Sequence, residues 1–221
     1  MKKVTCRDII NTNVTKKAKD NAMQLYDISQ ELFSAEVYPG DPAPTLTRTS
    51  SMTEGDLYNL SAFSACAHNG THVDAPSHFI NGAKTVSELD LNKTVGKAYV
   101  AEAKGVISKN EAVAIISRAK AKSAETAQKI LIKGDATVGK ECAEVFLAAG
   151  VHLIGSETQS VGPIDAPMEV HKILLGGEVI LLEGIRLGEV SEGEYFLFAA
   201  PINLGALEGA PCRAVLVDFE K

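Results

Sequence analysis

Residues 68–78 concentrate side chains that bind metal ions. The stretch reads His68-Asn-Gly-Thr-His72-Val-Asp74-Ala-Pro-Ser-His78 and holds three of the chain's five histidines. Neutral imidazole and carboxylate are the ligands that zinc and the other first-row divalent metals prefer. A further histidine close to such an ion is also what metal-assisted hydrolysis requires. The residue types therefore predict a metal site with hydrolytic chemistry.

The spacing of these residues predicts a bent chain. The three histidines and the aspartate share parity, so an extended strand would place them on one face. A straight strand would nevertheless separate His68 from His72 by roughly 13 Å, too far for both rings to share an ion. Gly70 permits a bend and Pro76 stiffens the exit, so we expect a strand running into a turn. The alternative is a surface loop in which these polar residues are scattered.

A second candidate pair lies downstream. His171 is followed twelve positions later by Glu183, which ends the apolar run at 179–182. If that run is a buried strand, an ionised Glu183 requires a counter-charge or a metal. The alternative is a glutamate at a strand end that faces water. The residues by themselves leave both interpretations open.

Composition is typical of a water-soluble enzyme. The chain has 221 residues, of which 45% are hydrophobic and 23% charged, and we expect one domain over 1–221 with a polar N-terminal extension at 1–22. A net charge of −6 does not indicate the positively charged surface that nucleic-acid binding requires, so no nucleic-acid partner is expected. Without a signal-peptide pattern or a membrane-spanning run, we expect a cytoplasmic protein with no membrane partner. The widely spaced Cys6, Cys66, Cys142 and Cys212 indicate reduced thiols.

The pattern along the chain predicts an α/β fold dominated by a mixed β-sheet or barrel with few flanking helices. After a short segment at 25–28, β-branched and aromatic residues predict strands at 97–103, 129–133, 151–155, 179–182, 195–200 and 214–219. Helices are predicted at 110–118 and at 140–149, the second ending at Gly150.

One competing motif lies between two predicted elements. Residues 134–140 match the phosphate-loop spacing G-x-x-x-x-G-K, after a predicted strand and before a predicted helix. Position 141 is Glu, however, where a phosphate loop has the Ser or Thr that holds magnesium. A strand-to-helix turn without nucleotide is the alternative interpretation, and it is the one we favour.

The string His68-x-Gly-Thr-His72-x-Asp74-x-Pro-x-His78 resembles the signature of the cyclase family that includes bacterial kynurenine formamidase and isatin hydrolase. Further similar segments lie at 27–29, 39–42, 89–91, 95–96, His171, 183–184 and 199–201. The resemblance implies a swivelling β/β/α fold and a metal-dependent amide hydrolase. It also implies a homo-oligomer, a dimer or a tetramer, with one or two divalent ions per subunit.

The family's ligand positions can be carried over residue by residue. His68, His72 and Asp74 would bind the first metal, and Asp74 could bridge to a second metal completed by His171 and Glu183. The twelve-residue spacing of the last two resembles that of the formamidases, which implies two zinc ions, with manganese as the alternative metal.

His78 is the remaining histidine of the motif and our candidate for the catalytic residue. Because three protein ligands already leave an open water position on a catalytic zinc, His78 is free to act as a general base and then to protonate the departing nitrogen. The alternative is that His78 is a fourth ligand to the same ion.

The expected substrate is a small amide, with N-formylkynurenine as the best named candidate. An aromatic leaving group requires apolar pocket walls, for which Tyr38 and Phe79 are candidates. Formamidases of the family often carry Trp at the place of Tyr38, and this chain has no Trp. The segment 155–161 also departs from the family pattern. A cyclic amide of the isatin type remains an alternative substrate, and a non-catalytic protein that binds a metal or a small molecule remains an alternative function.

Overall fold

The computed structural model describes residues 23–219, so the N-terminal extension predicted at 1–22 lies outside the described residues. Within that range the chain forms thirteen strands and three α-helices. The strands are β1 (Gln24–Asp27), β2 (Thr45–Ser50), β3 (Leu60–Ser64), β4 (His72–Asp74), β5 (Val95–Glu102), β6 (Gly105–Ile107), β7 (Lys129–Lys133), β8 (Ala136–Val138), β9 (Leu153–Ser156), β10 (Ile180–Glu183), β11 (Gly193–Phe198), β12 (Gly209–Pro211) and β13 (Val215–Asp218). The helices are α1 (Lys109–Lys122), α2 (Lys140–Ala148) and α3 (Met168–Gly176).

Nine of these strands form one mixed sheet in the order β1-β13-β11-β5-β7-β9-β10-β4-β12. The four central strands, β5, β7, β9 and β10, run parallel. Antiparallel strands extend the sheet on both sides, with β11 next to β5 and β4 next to β10. The expected α/β fold with a mixed sheet and few helices is therefore confirmed.

The central strands are buried on both faces, as parallel strands usually are. Ile130 and Ile132 of β7 belong to the core that also contains Phe146 of α2, whereas Leu131 between them belongs to the core on the other face. The same alternation separates Leu153 from Ile154 in β9. Two hydrophobic cores thus hold the parallel strands in one register, and these strands form the rigid base of the candidate site.

The strands β2 and β3 form a separate two-stranded sheet, which we call the hairpin arm (residues 45–64). Every residue of β3, and every residue of β2 except Ser50, is exposed. Leu46 and Phe63 face each other across the two strands, and their exposed fractions are 58% and 62%. An isolated hairpin of two strands is marginally stable in water. An apolar surface of this kind typically marks a site of association.

The structure confirms the strands expected from the sequence but contains further elements that the sequence did not predict. The hairpin arm was not predicted, and neither was α3, although Pro167 before it and two glycines at its end are helix start and stop signals. Helix α1 also continues to Lys122, beyond the predicted end at 118.

The segment 134–140 is not a phosphate loop. Strand β8 occupies its middle, and the backbone N–H of Gly134 donates to the carboxylate of Glu157 at 2.6 Å. The ammonium of Lys140 lies on the surface, 2.6 Å from Glu169. A phosphate loop instead directs its backbone N–H groups and its lysine at the phosphates. The interpretation of this segment as a nucleotide site is therefore wrong. The strand-to-helix turn that we favoured is present, and it contains the short strand β8.

The described residues also bear on the expectations for membrane-spanning helices and for the cysteines. The helices between residues 23 and 219 are all too short or too polar to cross a bilayer. Cys66, Cys142 and Cys212 are free thiols, as expected, whereas Cys6 lies outside the described range. Cys142 and Cys212 are buried, but Cys66 is only partly buried, 3.6 Å from an Asp41 carboxylate oxygen.

Candidate metal centre

Strand β4 places two of the predicted ligands on one face of the sheet. His72 and Asp74 are two residues apart in the strand, so their side chains point the same way. The antiparallel pairing with β10 sets His72 opposite Glu183. A glutamate that the sequence left either in water or in the site is therefore buried, with only 4% of its surface exposed.

A tight turn before β4 brings His68 back toward the strand. The backbone N–H groups of Cys66 and Asn69 close this turn by hydrogen bonds to the Asn69 side chain and the Cys66 carbonyl. Gly70 follows with a φ of 65°, a conformation that glycine adopts at little cost. The ring centroids of His68 and His72 are consequently 5.1 Å apart, which confirms the predicted bend.

The third histidine of the cluster comes from α3. This helix buries Val170, Leu174 and Leu175 against the sheet, and the same packing buries His171. The Nε2 atom of His171 lies 3.3 Å from Glu183 Oε1 and 3.8 Å from Asp74 Oδ2. The five predicted ligands therefore meet in space, although they come from a turn, two strands and a helix.

The two carboxylates lie at the centre of this cluster. Asp74 Oδ1 is 2.8 Å from Nδ1 of His68 and 3.4 Å from Nε2 of His72. The Nε2 atom of His72 is also 3.5 Å from Glu183 Oε2. Donor atoms of two groups each lie within 4.8 Å of one another, and these groups are His68, Asp74 and His78, and His72, Asp74 and Glu183. Asp74 belongs to both groups, as a bridging ligand must.

Hydrogen bonds fix the tautomers of two of the rings. Nδ1 of His72 lies 3.0 Å from the Gly70 carbonyl oxygen, and Nδ1 of His171 lies 2.8 Å from that of Pro167. A carbonyl oxygen only accepts, so each Nδ1 must donate, and the lone pair of a neutral ring is then on Nε2. Both Nε2 atoms face carboxylates. The buried His72 Nε2 and Asp74 Oδ2 atoms have no hydrogen-bond partner. Lone pairs that converge on carboxylates require a cation between them, so the donor set fits a divalent metal ion.

The pKa values of the clustered side chains show that the two carboxylates favour positive charge beside them. Burial opposes charging of His72, but its contacts with Asp74 and Glu183 prevail and raise its pKa to about 10. Burial and the neighbouring Asp74 raise the pKa of Glu183, but contacts with His171 and His72 outweigh them and lower it. Burial also opposes charging of His171, whose pKa is nonetheless raised by Glu183. The two carboxylates therefore favour positive charge on the imidazoles beside them.

His78 lies at the edge of the cluster in a 3-10 helix at Pro76–His78. Its ring stacks on that of His68 with centroids 4.1 Å apart and lies 6.2 Å from the ring of His171. Burial lowers its pKa, unlike those of the other three histidines in the cluster. This position is what either predicted role, proton transfer or a fourth metal ligand, requires.

The two predicted pocket residues have different surroundings. Phe79 packs against both His78 and His171, with ring centroids 4.6 Å away in each case. Tyr38 donates a hydrogen bond from its hydroxyl to the Ile164 carbonyl, in the loop that leads into α3. Phe79 therefore lines the cluster directly, whereas the contact of Tyr38 is with the loop that precedes the helix of His171.

Sequence reasoning missed the contribution of β12. Gly209 pairs with Asp74, and a Cβ atom at this position would lie 2.6 Å from Cε1 of His68. The preceding residue, Glu208, places Oε1 3.4 Å from Nε2 of His68. A lone glutamate some 140 residues from the motif carries no local signal, so only the strand pairing could reveal it.

Comparisons with known proteins show which family this chain resembles. The profile of the family described as "Putative cyclase" matches residues 26–163. The kynurenine formamidase of Erythrobacter litoralis is 30% identical over 89% of this chain and 94% of its own length. That of Salinibacter ruber is 31% identical over 89% and 98%, respectively.

Solved structures show the same fold. One described as a "predicted metal-dependent hydrolase from Bacillus stearothermophilus" is 26% identical, has a TM-score of 0.74 and covers 89% of this chain and 99% of its own. Isatin hydrolase A from Labrenzia aggregata has a TM-score of 0.76 at 18% identity, covering 90% and 95%, and shows the fold alone. With its signature residues gathered in one cluster and its family profile matched over more than half its length, this chain belongs to the cyclase family of metal-dependent hydrolases.

Proposed function

We propose that this protein is a metal-dependent amide hydrolase that removes the formyl group from an aryl formamide such as N-formylkynurenine. The observation that carries the proposal is the set of imidazole lone pairs directed at two buried carboxylates, with His78 at its edge. The similarity to kynurenine formamidases over most of the chain supports the choice of substrate.

The proposed ligands are divided between two zinc ions that share Asp74. His68 and His72 approach one oxygen of this carboxylate, and His171 approaches the other. Both His171 and His72 also lie close to the carboxylate of Glu183. This distribution supports the assignment of His68, His72 and Asp74 to one ion and of Asp74, His171 and Glu183 to the other. Imidazole and carboxylate donors also suit manganese, so zinc is the preferred metal rather than the exclusive one.

When bound, such ions lower the pKa of a water molecule in the site and polarise the amide carbonyl. The residues of the chain supply proton transfer and orientation. His78, with its lowered pKa, is neutral near pH 7 and accepts the proton of the attacking water. It then delivers that proton to the amide nitrogen as the carbon–nitrogen bond breaks, which gives formate and the free arylamine. Phe79 offers an apolar surface beside His78 for the aromatic ring of the substrate.

We also propose that the protein acts as a homo-oligomer held together by the hairpin arm. The arm exposes Leu46 and Phe63 on one face. It contacts the rest of the protein through Phe63, whose ring centroid lies 6.2 Å from that of Phe33. A second copy of the chain would cover this apolar face. Covering this apolar surface stabilises an oligomer by about 25 cal/mol for each Å2 removed from water. Leaving the same residues exposed favours aggregation.

The purified protein should contain close to two zinc ions per chain and should deformylate N-formylkynurenine. Dialysis against a chelator should abolish the activity, and added zinc should restore it. Metal content is measured by elemental analysis and turnover by the absorbance of the released arylamine. Metal binding with no formamidase activity would contradict the substrate, and isatin provides the parallel assay for a cyclic amide. A protein that fails to bind metal after reconstitution would refute the site.

Binding of zinc to the metal-free protein should release protons. Contacts with Asp74 and Glu183 raise the pKa of His72 to about 10, so this ring carries a proton near pH 7 that an ion must displace; the pKa values of His68 and His171 are raised in the same direction. The apparent affinity should therefore increase from about pH 6 to about pH 8. Calorimetry in two buffers of different ionisation enthalpy measures the released protons. A zinc affinity that is constant over this range would contradict the protonated cluster.

Replacement of His78 by alanine separates its two candidate roles. As the proton-transfer residue, His78→Ala should lower kcat by roughly 10²- to 10⁴-fold while the zinc content stays unchanged. His152→Ala is the matched control, because His152 precedes β9 at the end of the parallel strands opposite to Glu183. The control should retain both activity and zinc. Loss of zinc from the His78 variant would instead identify this residue as a ligand.

The oligomer depends on the apolar face of the arm. Leu46→Glu should convert the oligomer to a monomer, because it places a charge on the face that Leu46 shares with Phe63. Thr47→Glu is the control, since neighbouring residues of a strand point to opposite faces. Light scattering coupled to size-exclusion chromatography gives the mass of each variant. A monomeric parent protein, or equal effects of the two substitutions, would overturn the proposed interface.

A further inference from the structure

The position of Glu208 is determined by the strand that carries Asp74. Gly209 of β12 pairs with Asp74, and the backbone N–H of Ala75 donates to the Glu208 carbonyl at 2.8 Å. This pairing fixes the backbone of Glu208 beside the metal ligands. The Glu208 side chain is 42% exposed, so it lies at the rim of the cluster rather than among the buried ligands.

The ring of His68 is contacted at both nitrogen atoms and on its surface. Nδ1 faces Asp74 at 2.8 Å, and Nε2 faces Glu208 at 3.4 Å. His78 stacks on the ring, and Gly209 approaches so closely that a Cβ atom would lie 3.1 Å from each of its nitrogens. These contacts restrict the ring to an orientation in which one nitrogen points into the cluster and the other toward the rim.

His68 differs from the other two imidazoles in what holds its outer nitrogen. His72 and His171 each donate to a backbone carbonyl, which leaves Nε2 to face the carboxylates. Nε2 of His68 is buried and has no hydrogen-bond partner, and Glu208 is the acidic group beside it. Metal-binding histidines almost always donate their second N–H to such an acceptor, which fixes the tautomer and raises the basicity of the ligand atom.

We propose that Glu208 is a positioning residue that accepts the Nε2–H of His68 and thereby holds its Nδ1 lone pair toward the ion. This inference rests on the proposed metal-dependent function. The present separation of 3.4 Å exceeds a normal N–H···O hydrogen bond by a few tenths of an ångström. A rotation of the half-exposed Glu208 side chain closes that gap. Glu208 acts through His68 and needs no contact with the substrate.

The test compares zinc affinity in three variants by competition with a chromophoric chelator. Glu208→Ala should weaken zinc binding by roughly 10- to 100-fold, the usual effect of losing such an outer acceptor. Glu208→Gln should lose less, because its amide oxygen still accepts a hydrogen bond. Glu189→Gln, which removes an exposed carboxylate outside the cluster, is the control for net charge and should bind zinc as the parent does.

Nitrogen-15 spectra of the zinc-loaded parent provide a readout that a merely structural residue would not change. They should show His68 bound through Nδ1 with a proton on Nε2, and this signal should be lost in Glu208→Ala. Unchanged zinc affinity in Glu208→Ala, or a ring bound through Nε2, would overturn the inference while leaving the function intact. A parent protein that binds no zinc would instead refute the proposed function itself.

Discussion

The burial of two carboxylates beside each other is the constraint on which the rest of the structure depends. Asp74 is fully buried and Glu183 is 4% exposed, so neither charge is stabilised by water. Such a pair is costly unless positive charge lies between its members. His72 and His171 are both buried beside the pair, and the carboxylates raise the pKa of each ring, that of His72 to about 10. A divalent ion bound there would meet side chains that the fold already holds in place.

The antiparallel strand β4 is the element that makes this burial possible. It lies between β10 and β12, so one register sets Glu183 opposite His72 and another sets Gly209 opposite Asp74. Close packing of these segments requires glycine. A Cβ atom at Gly184, whose φ is 68°, would lie 2.6 Å from the Gly70 carbonyl oxygen that fixes the tautomer of His72. Backbone packing and ligand chemistry are therefore coupled at the same atoms.

The sequence predicted which residues cluster better than it predicted the elements that carry them. The motif at 68–78 identified four residues of the cluster because the turn and β4 lie within one short segment of the chain. Gly70, which adopts a positive φ, indicates the bend. The pair His171 and Glu183 was also singled out from the sequence, but its role stayed open until the family resemblance assigned both residues to the site. Their meeting depends on the crossing of α3 over the sheet and on the pairing of β10 with β4, which are long-range contacts without local periodicity. Glu208 was missed for the same reason. The hairpin arm was missed because β2 contains a single apolar residue, Leu46, and pairs only with β3.

Depth in the structure divides the cluster into a buried centre and a partly exposed rim. His72, Asp74, His171 and Glu183 are buried, whereas His68, His78 and Phe79 are partly exposed at the rim. Substitution of a buried residue leaves a neighbouring charge uncompensated, so chemistry and stability restrict these positions together. Rim residues are supported by separate segments, which include β12 with Glu208 and the loop of Tyr38. Substrate preference can therefore change through the rim while the buried ligands, and the hydrolytic chemistry they support, stay the same.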